Sequence, residues 1–376
     1  MKNTLFAFLC MSLVAFSLNS ASQQKGPGLS NRPQEPNIVG GGQQSKNGQK
    51  VSGGETKPSN ARQLRVEVIK TSQMAETLSG LKCDEDGNLY MHVDVFGLAG
   101  VRKLSPKGEP LALFEAKSSK VAVYRAGDFS LASNAAVYEL ISAREPPARY
   151  VFVYAPDGKL NSEIKLQTGF FFAPQRIAVF PSGGLFVSGL EPDKDSPDTS
   201  WPFQGIFSSD GTLLKEVNFA DDEDIYDLAA SGDKRVVLPN NPNSNLAVAG
   251  ESLEAAADGN IYLMRRISPA ILYAVAPGGS VRRFTVDPGD EDFLPSHMHV
   301  SGNKIAILFR KELTGQQFLK ITDLEGHVLA TYEDRIVDGV SELGAAFACY
   351  DANSETFTFL TTTEDGKLGI KTAQPQ

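Results

Sequence analysis

Ala173-Pro174-Gln175-Arg176-Ile177-Ala178-Val179 runs through the breaker Pro181-Ser182-Gly183-Gly184 into Leu185-Phe186-Val187. Two short apolar runs around a glycine turn read as an antiparallel hairpin, because glycine supplies the positive φ that a tight connection between twisted strands requires. The same turn class recurs as Asp86-Gly87-Asn88-Leu89-Tyr90, Asp258-Gly259-Asn260-Ile261-Tyr262 and Gly302-Asn303-Lys304-Ile305-Ala306. Weaker copies are Ser133-Asn134 before Ala136-Val137-Tyr138, and Asn353-Ser354 before Thr356-Phe357-Thr358-Phe359.

A second turn class follows some 20 to 25 residues later in most copies. It reads Ser105-Pro106-Lys107-Gly108, Ala155-Pro156-Asp157-Gly158, Ser208-Ser209-Asp210-Gly211, Ala276-Pro277-Gly278-Gly279 and Thr322-Asp323-Leu324-Glu325-Gly326. With strands lettered A to D from hub to rim, the first class joins A to B and the second joins C to D. The 315 residues from Arg62 to Gln376 then divide into six units of a little over 50 residues, the size of a propeller blade. The last unit lacks a D strand. Leu64-Arg65-Val66-Glu67-Val68-Ile69 is an unassigned alternating strand that would supply it. The fold class predicted is all-β: a six-bladed β-propeller of four-stranded blades, its last blade closed by the N-terminal strand.

Ala173 to Val179 with Gly184 to Val187, and Val101-Arg102-Lys103-Leu104 before its glycine turn, resemble the six-bladed propellers of the NHL and TolB-like group, to which the SMP-30-type lactonases are related. The resemblance spans nearly everything after Ala61. It implies a fold more than a function, since this architecture carries hydrolases, lyases and plain binding platforms alike.

Upstream, residues 1–22 combine Lys2, the apolar run Leu5 to Leu18 and small residues at Ser20, Ala21 and Ser22, which reads as a signal peptide. The run is shorter than the roughly 20 residues that span a bilayer. Residues 23–61 are dominated by Gly, Ser, Gln, Asn, Pro and Lys, and are expected to be a disordered linker. The mature protein is therefore expected outside the cytoplasm, periplasmic or extracellular, with no membrane span and as a monomer. Thirty-six basic against 45 acidic residues give a net charge of −9, which argues against nucleic acid as a partner. Three cysteines exclude a disulfide-rich scaffold.

In a propeller every D-to-A connection opens on one rim, so that rim is the default site. Three connections there are acidic and carry Asp222 and Asp224, then Asp290 and Asp292, then Asp338; they predict a sector that attracts a cation such as calcium, or a basic ligand. Phe170-Phe171-Phe172 precedes Gln175 and Arg176, and alternation on a strand leaves at least one ring, assigned to Phe171, free to stack on a sugar or aromatic ligand. The connection from about Ala220 to Gly250 is long enough to cover part of the mouth. His297 and His299 share a strand face, and two imidazoles with a carboxylate can bind zinc, although no third ligand can be named.

Signatures of chemistry are missing: there is no Glu-Gly-Pro of the SMP-30-type lactonases, for which Glu251 and Glu254 are loose stand-ins, no Gly-x-Ser-x-Gly elbow and no Cys-x-x-Cys. The reading favours a platform for a small-molecule or protein ligand at the channel mouth over an enzyme. The alternatives are a metal-dependent hydrolase or lyase on the same rim, and an envelope assembly factor. Cys83 and Cys349 occupy matching A-strand positions in units one and six. A bond between them would stabilise by roughly 4 to 5 kcal/mol in the chain-entropy model. Against it stands the splay of neighbouring blades, which must still let the Cα atoms come within about 7 Å, and the sequence leaves the bond open.

Overall fold

The computed structural model describes residues 61–74, 80–95, 98–145, 147–192, 200–217, 230–231, 234–235, 248–311, 313–337, 340–344 and 346–376. The signal peptide and linker expectations, Asp222, Asp224, Asp338 and most of the long connection lie outside them. Every regular element among the described residues is a strand, and none of them forms a helix able to cross a membrane.

In chain order, β1 (Arg62–Met74) comes first. A sheet of β2 (Lys82–Cys83), β3 (Leu89–Val95), β4 (Leu98–Leu104) and β5 (Pro110–Glu115) follows. The next holds β6 (Val123–Leu131), β7 (Val137–Ala143), β8 (Ala148–Tyr154) and β9 (Leu160–Lys165), and the third β10 (Ala173–Val179), β11 (Leu185–Pro192), β12 (Ser200–Phe207) and β13 (Leu213–Glu216). The short pair β14 (Ala230–Ser231) and β15 (Lys234–Arg235) is the described part of the long connection before β16 (Val248–Ala255), β17 (Ile261–Arg265), β18 (Ala270–Val275) and β19 (Val281–Val286).

The remaining strands join in one eight-stranded sheet. It contains β20 (Phe293–Ser301), β21 (Lys304–Lys311), β22 (Gln317–Asp323) and β23 (Val328–Glu333); the small pair β24 (Ile336–Val337) and β25 (Val340–Ser341) intervenes in the chain before β26 (Ala346–Asp351), β27 (Thr356–Thr362) and β28 (Lys367–Pro375). β1 is the junction. It runs antiparallel to β28 from Leu64↔Pro375 to Lys70↔Gly369, and its first two residues pair parallel with β23 at Arg62↔Tyr332 and Gln63↔Glu333. The arrangement is propeller-like, built of four-stranded antiparallel blades whose strands follow chain order.

Burial explains the sequence texture. Middle strands are covered on both faces, so β17 and β18 are buried at every position, whereas the outer β19 is mostly exposed. Each core is shared by two successive sheets. Tyr262, Met264 and Leu272 pack with Ile305, Ile307 and Phe309, and the sheet of β26 to β28 shares a core with that of β2 to β5 through Leu360, Leu368 and Ile370 against Leu89, Met91 and Leu104.

The turn glycines also seat one blade against another. Gly211, at φ +87°, brings the turn before β13 so close to the neighbouring blade that a Cβ would lie 2.3 Å from the Lys165 carbonyl oxygen. Only glycine fits there without displacement.

Cys83 and Cys349 form a disulfide with a Cα–Cα distance of 5.6 Å. The expected splay does not keep them apart, because both lie on the innermost strands β2 and β26, where the sheets converge.

Candidate functional site

Two regions gather polar side chains: the hub lined by the leading strands, and the rim where those strands begin. In the hub, the leading strand of each sheet has an edge with no strand ladder, so its N–H groups need other partners. Side chains of the preceding blade supply several. Asp128 accepts from Ile177 N–H at 2.9 Å, Ser130 from Val179 N–H at 3.2 Å, Glu254 from Val300 N–H at 2.6 Å and Ser301 from Ala352 N–H at 3.1 Å.

Glu254 is the centre of this lacing. Its other oxygen meets His299 Nδ1 at 2.8 Å, and His299 Nε2 lies 3.4 Å from the Phe347 carbonyl of the next blade. Burial opposes the charge of Glu254, but the charge and hydrogen bond of His299, the nearby Lys82 ammonium and the Val300 N–H outweigh it and hold the carboxyl below its ordinary range. Lys82, buried on β2, reaches across the hub to the Leu253 carbonyl at 3.2 Å. A cavity of about 90 Å³ lies among Lys82, Cys83, Ser130, Glu254, His299 and Tyr350.

One more buried acid stands outside the hub. Glu139 on β7 is wholly buried, its Oε2 is 3.2 Å from Tyr154 Oη, and its Oε1 has no hydrogen-bond partner. Tyr154 Oη is also 2.9 Å from the Glu115 carbonyl oxygen. A phenol has one proton, so both contacts are satisfied when Tyr154 donates to Glu115 and a neutral Glu139 donates to Tyr154. Burial, only partly offset by Tyr154, pushes the Glu139 carboxyl up to about 8.

At the rim, the turn between β7 and β8 carries Arg144 at one end and Arg149 just beyond the other. Arg144 lies over the Tyr124 ring with 4.7 Å from guanidinium carbon to centroid, and Arg149 over Phe171 at 4.9 Å. Both rings are exposed, Tyr124 by 63% and Phe171 by 56%. Phe172 and Phe170 instead pack on Phe203 at centroid distances of 4.8 and 5.2 Å, which fixes the connection and leaves Phe171 outward. Gln175 is exposed and Arg176 half-buried on β10, past a bulge between Pro174 and Arg176.

The residues expected to share one opening are divided by the strand direction. Phe171, Gln175, Arg176, Asp290 and Asp292 lie at or near the starts of the leading strands, while His299 sits close to the far end of β20. Asp290 and Asp292 both face Lys311, at 3.5 and 2.7 Å, so one of their two charges is offset within the blade. Of the histidine pair, His299 is taken up by Glu254. The one group of three candidate metal ligands among the described residues is Asp323, Glu325 and His327, in the exposed turn between β22 and β23, where Asp323 also caps the backbone N–H groups of Glu325 and His327.

No family model matches the chain, and no curated protein matches it. Solved structures do. A protein of Bacteroides fragilis classed as exported superposes with a TM-score of 0.51 at 9% identity, over 85% of this chain and 98% of that one. A catalytically inactive virginiamycin B lyase from Staphylococcus aureus, solved with quinupristin, gives 0.42 at 11% identity, over 82% and 99%. A protein assigned as a gluconolactonase gives 0.43 at 12% identity, over 84% and 92%. The likeness is one of fold. At these identities it extends to no residue of either region.

Sequence reasoning weighed His299 as a zinc ligand and Glu254 as a loose stand-in for another metal ligand; it missed their partnership and Lys82. The available signal was a polar residue, Ser130, Glu254 or His299, shortly before the A-to-B turn of the leading strands β6, β16 and β20.

Proposed function

We propose that the protein is an exported six-bladed propeller that binds an acidic sugar or similar flat, anionic ligand on its rim at the entries to the second and third blades. The blade count is supported by reading the eight-stranded sheet as two blades joined through β1, and by contacts among β2, β6, β10, β16, β20 and β26 that run in that order and return from β26 to β2. Export is supported by the character of residues 1–22 and by the disulfide, which persists in oxidising compartments.

The observation that carries the binding reading is the pair of exposed rings, Tyr124 and Phe171, each beneath a guanidinium from the same turn. A planar guanidinium held on a ring keeps edge donors for a carboxylate, of which Arg149 spends one on the Ala148 carbonyl at 3.3 Å, and the exposed ring beside it offers an apolar face to a sugar. Arg176 and Gln175 extend the polar edge. The hub acids and bases are engaged in holding blades together, which favours a platform over a metal-assisted hydrolase or lyase.

Titration with oligosaccharides containing uronic acid, against their neutral counterparts, tests this. Saturable binding of the acidic set, weakened at least tenfold by Arg149→Ala and by Phe171→Ala in folded protein, is the expected result. Equal binding of both sets, or none, overturns the proposal.

A further inference from the structure

We infer that the hub cavity is a binding site for one small monovalent anion, a halide or a short carboxylate, held by Lys82. The inference concerns the end of the hub away from the rim and is independent of the ligand proposed there.

It follows from counting donors and acceptors around the cavity. Lys82 is 5% exposed, and an ammonium has three N–H donors. Among the described residues its hydrogen-bond acceptor is the Leu253 carbonyl. The nearby Glu254 carboxylate is not hydrogen-bonded to Lys82: one oxygen faces His299 Nδ1 and the other accepts Val300 N–H. Ser130, 3% exposed, accepts Val179 N–H through Oγ and keeps its own hydroxyl proton. Lys82 and Ser130 thus add unspent donor capacity, from an ammonium and a hydroxyl, to the cavity lining.

A buried ammonium with one carbonyl partner is costly, and an acceptor in the adjoining space removes that cost. The cavity is about 90 Å³. At roughly 30 Å³ per water in the liquid, it takes a halide, formate or acetate and is too small to enclose a sugar acid. Negative charge completes the set: Glu254 acts on the Lys82 ammonium through space, but no carboxylate among the described residues stands in ion-pair contact with it.

Calorimetric titration of the mature chain with sodium bromide, formate and acetate, against gluconate at equal ionic strength, tests the site. Saturable 1:1 binding of at least one small anion and none of gluconate is expected, with at least a tenfold loss in Lys82→Met and a smaller loss in Ser130→Ala. Bromide and formate arms distinguish a halide site from a carboxylate site. If Lys82→Met does not fold, anomalous scattering from bromide-soaked crystals of the unaltered protein decides, with a peak expected beside Lys82 Nζ. No saturable binding of any small anion, binding unchanged in folded Lys82→Met, or no bromide peak in the hub would each overturn the inference.

Discussion

Glu254 accepts the backbone N–H of Val300 at 2.6 Å across 46 residues of sequence, and with its other oxygen holds His299. A single carboxylate thus ties the fourth leading strand to the fifth, and through His299 reaches the Phe347 carbonyl on β26. Removing it by Glu254→Ala leaves an N–H and an imidazole buried without their partner. The expected loss is about 3 to 5 kcal/mol, read from chemical denaturation, with Glu254→Gln losing less because its amide oxygen still serves Val300.

The same carboxylate sets an acid dependence. Its folded-state value lies below the ordinary one, so its contribution is fully present above the ordinary carboxylate range and disappears as pH falls through the folded value. The stability difference between the unaltered chain and Glu254→Gln, measured from pH 7 down to pH 3, is expected to narrow at the acid end.

Glu139 works in the opposite sense. Its folded value is raised to about 8, so between its ordinary range and pH 8 the folded state holds a proton that the unfolded state has released. Stability then declines with rising pH by at most about 1.4 kcal/mol per unit from this one group. Glu139→Gln, which keeps a donor toward Tyr154, is expected to be more stable than the unaltered chain at pH 9 and close to it at pH 4; a gap that does not grow with pH would contradict a neutral Glu139.

The bond between Cys83 and Cys349 spans 266 residues. In the chain-entropy model its loss costs about 5 kcal/mol. Denaturation midpoints with and without reductant are expected to differ accordingly, and the Cys83→Ala/Cys349→Ala variant should match the reduced protein. Thiol titration of the unfolded, unreduced chain should detect neither cysteine.

Gly211→Ala is expected to cost about 2 kcal/mol or more, since it joins an unfavourable φ to a clash with a backbone carbonyl. The change sits in the turn between β12 and the outer strand β13, so unfolding of the variant should remain a single transition.

How much of this was legible before the coordinates depends on the range over which each feature is encoded. The turns at Asp86-Gly87, Asp258-Gly259 and Ala276-Pro277-Gly278-Gly279 are local, and each lies between consecutive antiparallel strands as its residues dictate. The alternation from Leu64 to Ile69 marked a strand, and it pairs antiparallel with β28. The hub was not readable in this way. Asp128, Glu254 and Ser301 find their partners 46 to 51 residues away, and nothing local says that their side chains point to the next blade rather than to solvent. The rim was legible in part: alternation put Phe171 outward, but the guanidinium above it comes from Arg149 on another sheet. The acidic connection before β20 meets a partial counter-ion, Lys311, at the end of β21, 21 residues beyond Asp290.

The pairing of β1 with β28 has a consequence for biosynthesis. Thr71 bonds to the carbonyl of Leu368, 297 residues later, so the ribosome delivers one side of this seam long before the other. Until β28 emerges, β1 has no antiparallel neighbour and β27 is unpaired on that side. Native closure must therefore be a late event, and a nascent chain interrupted before Leu368 leaves an open edge on which chaperones, or other copies, can act.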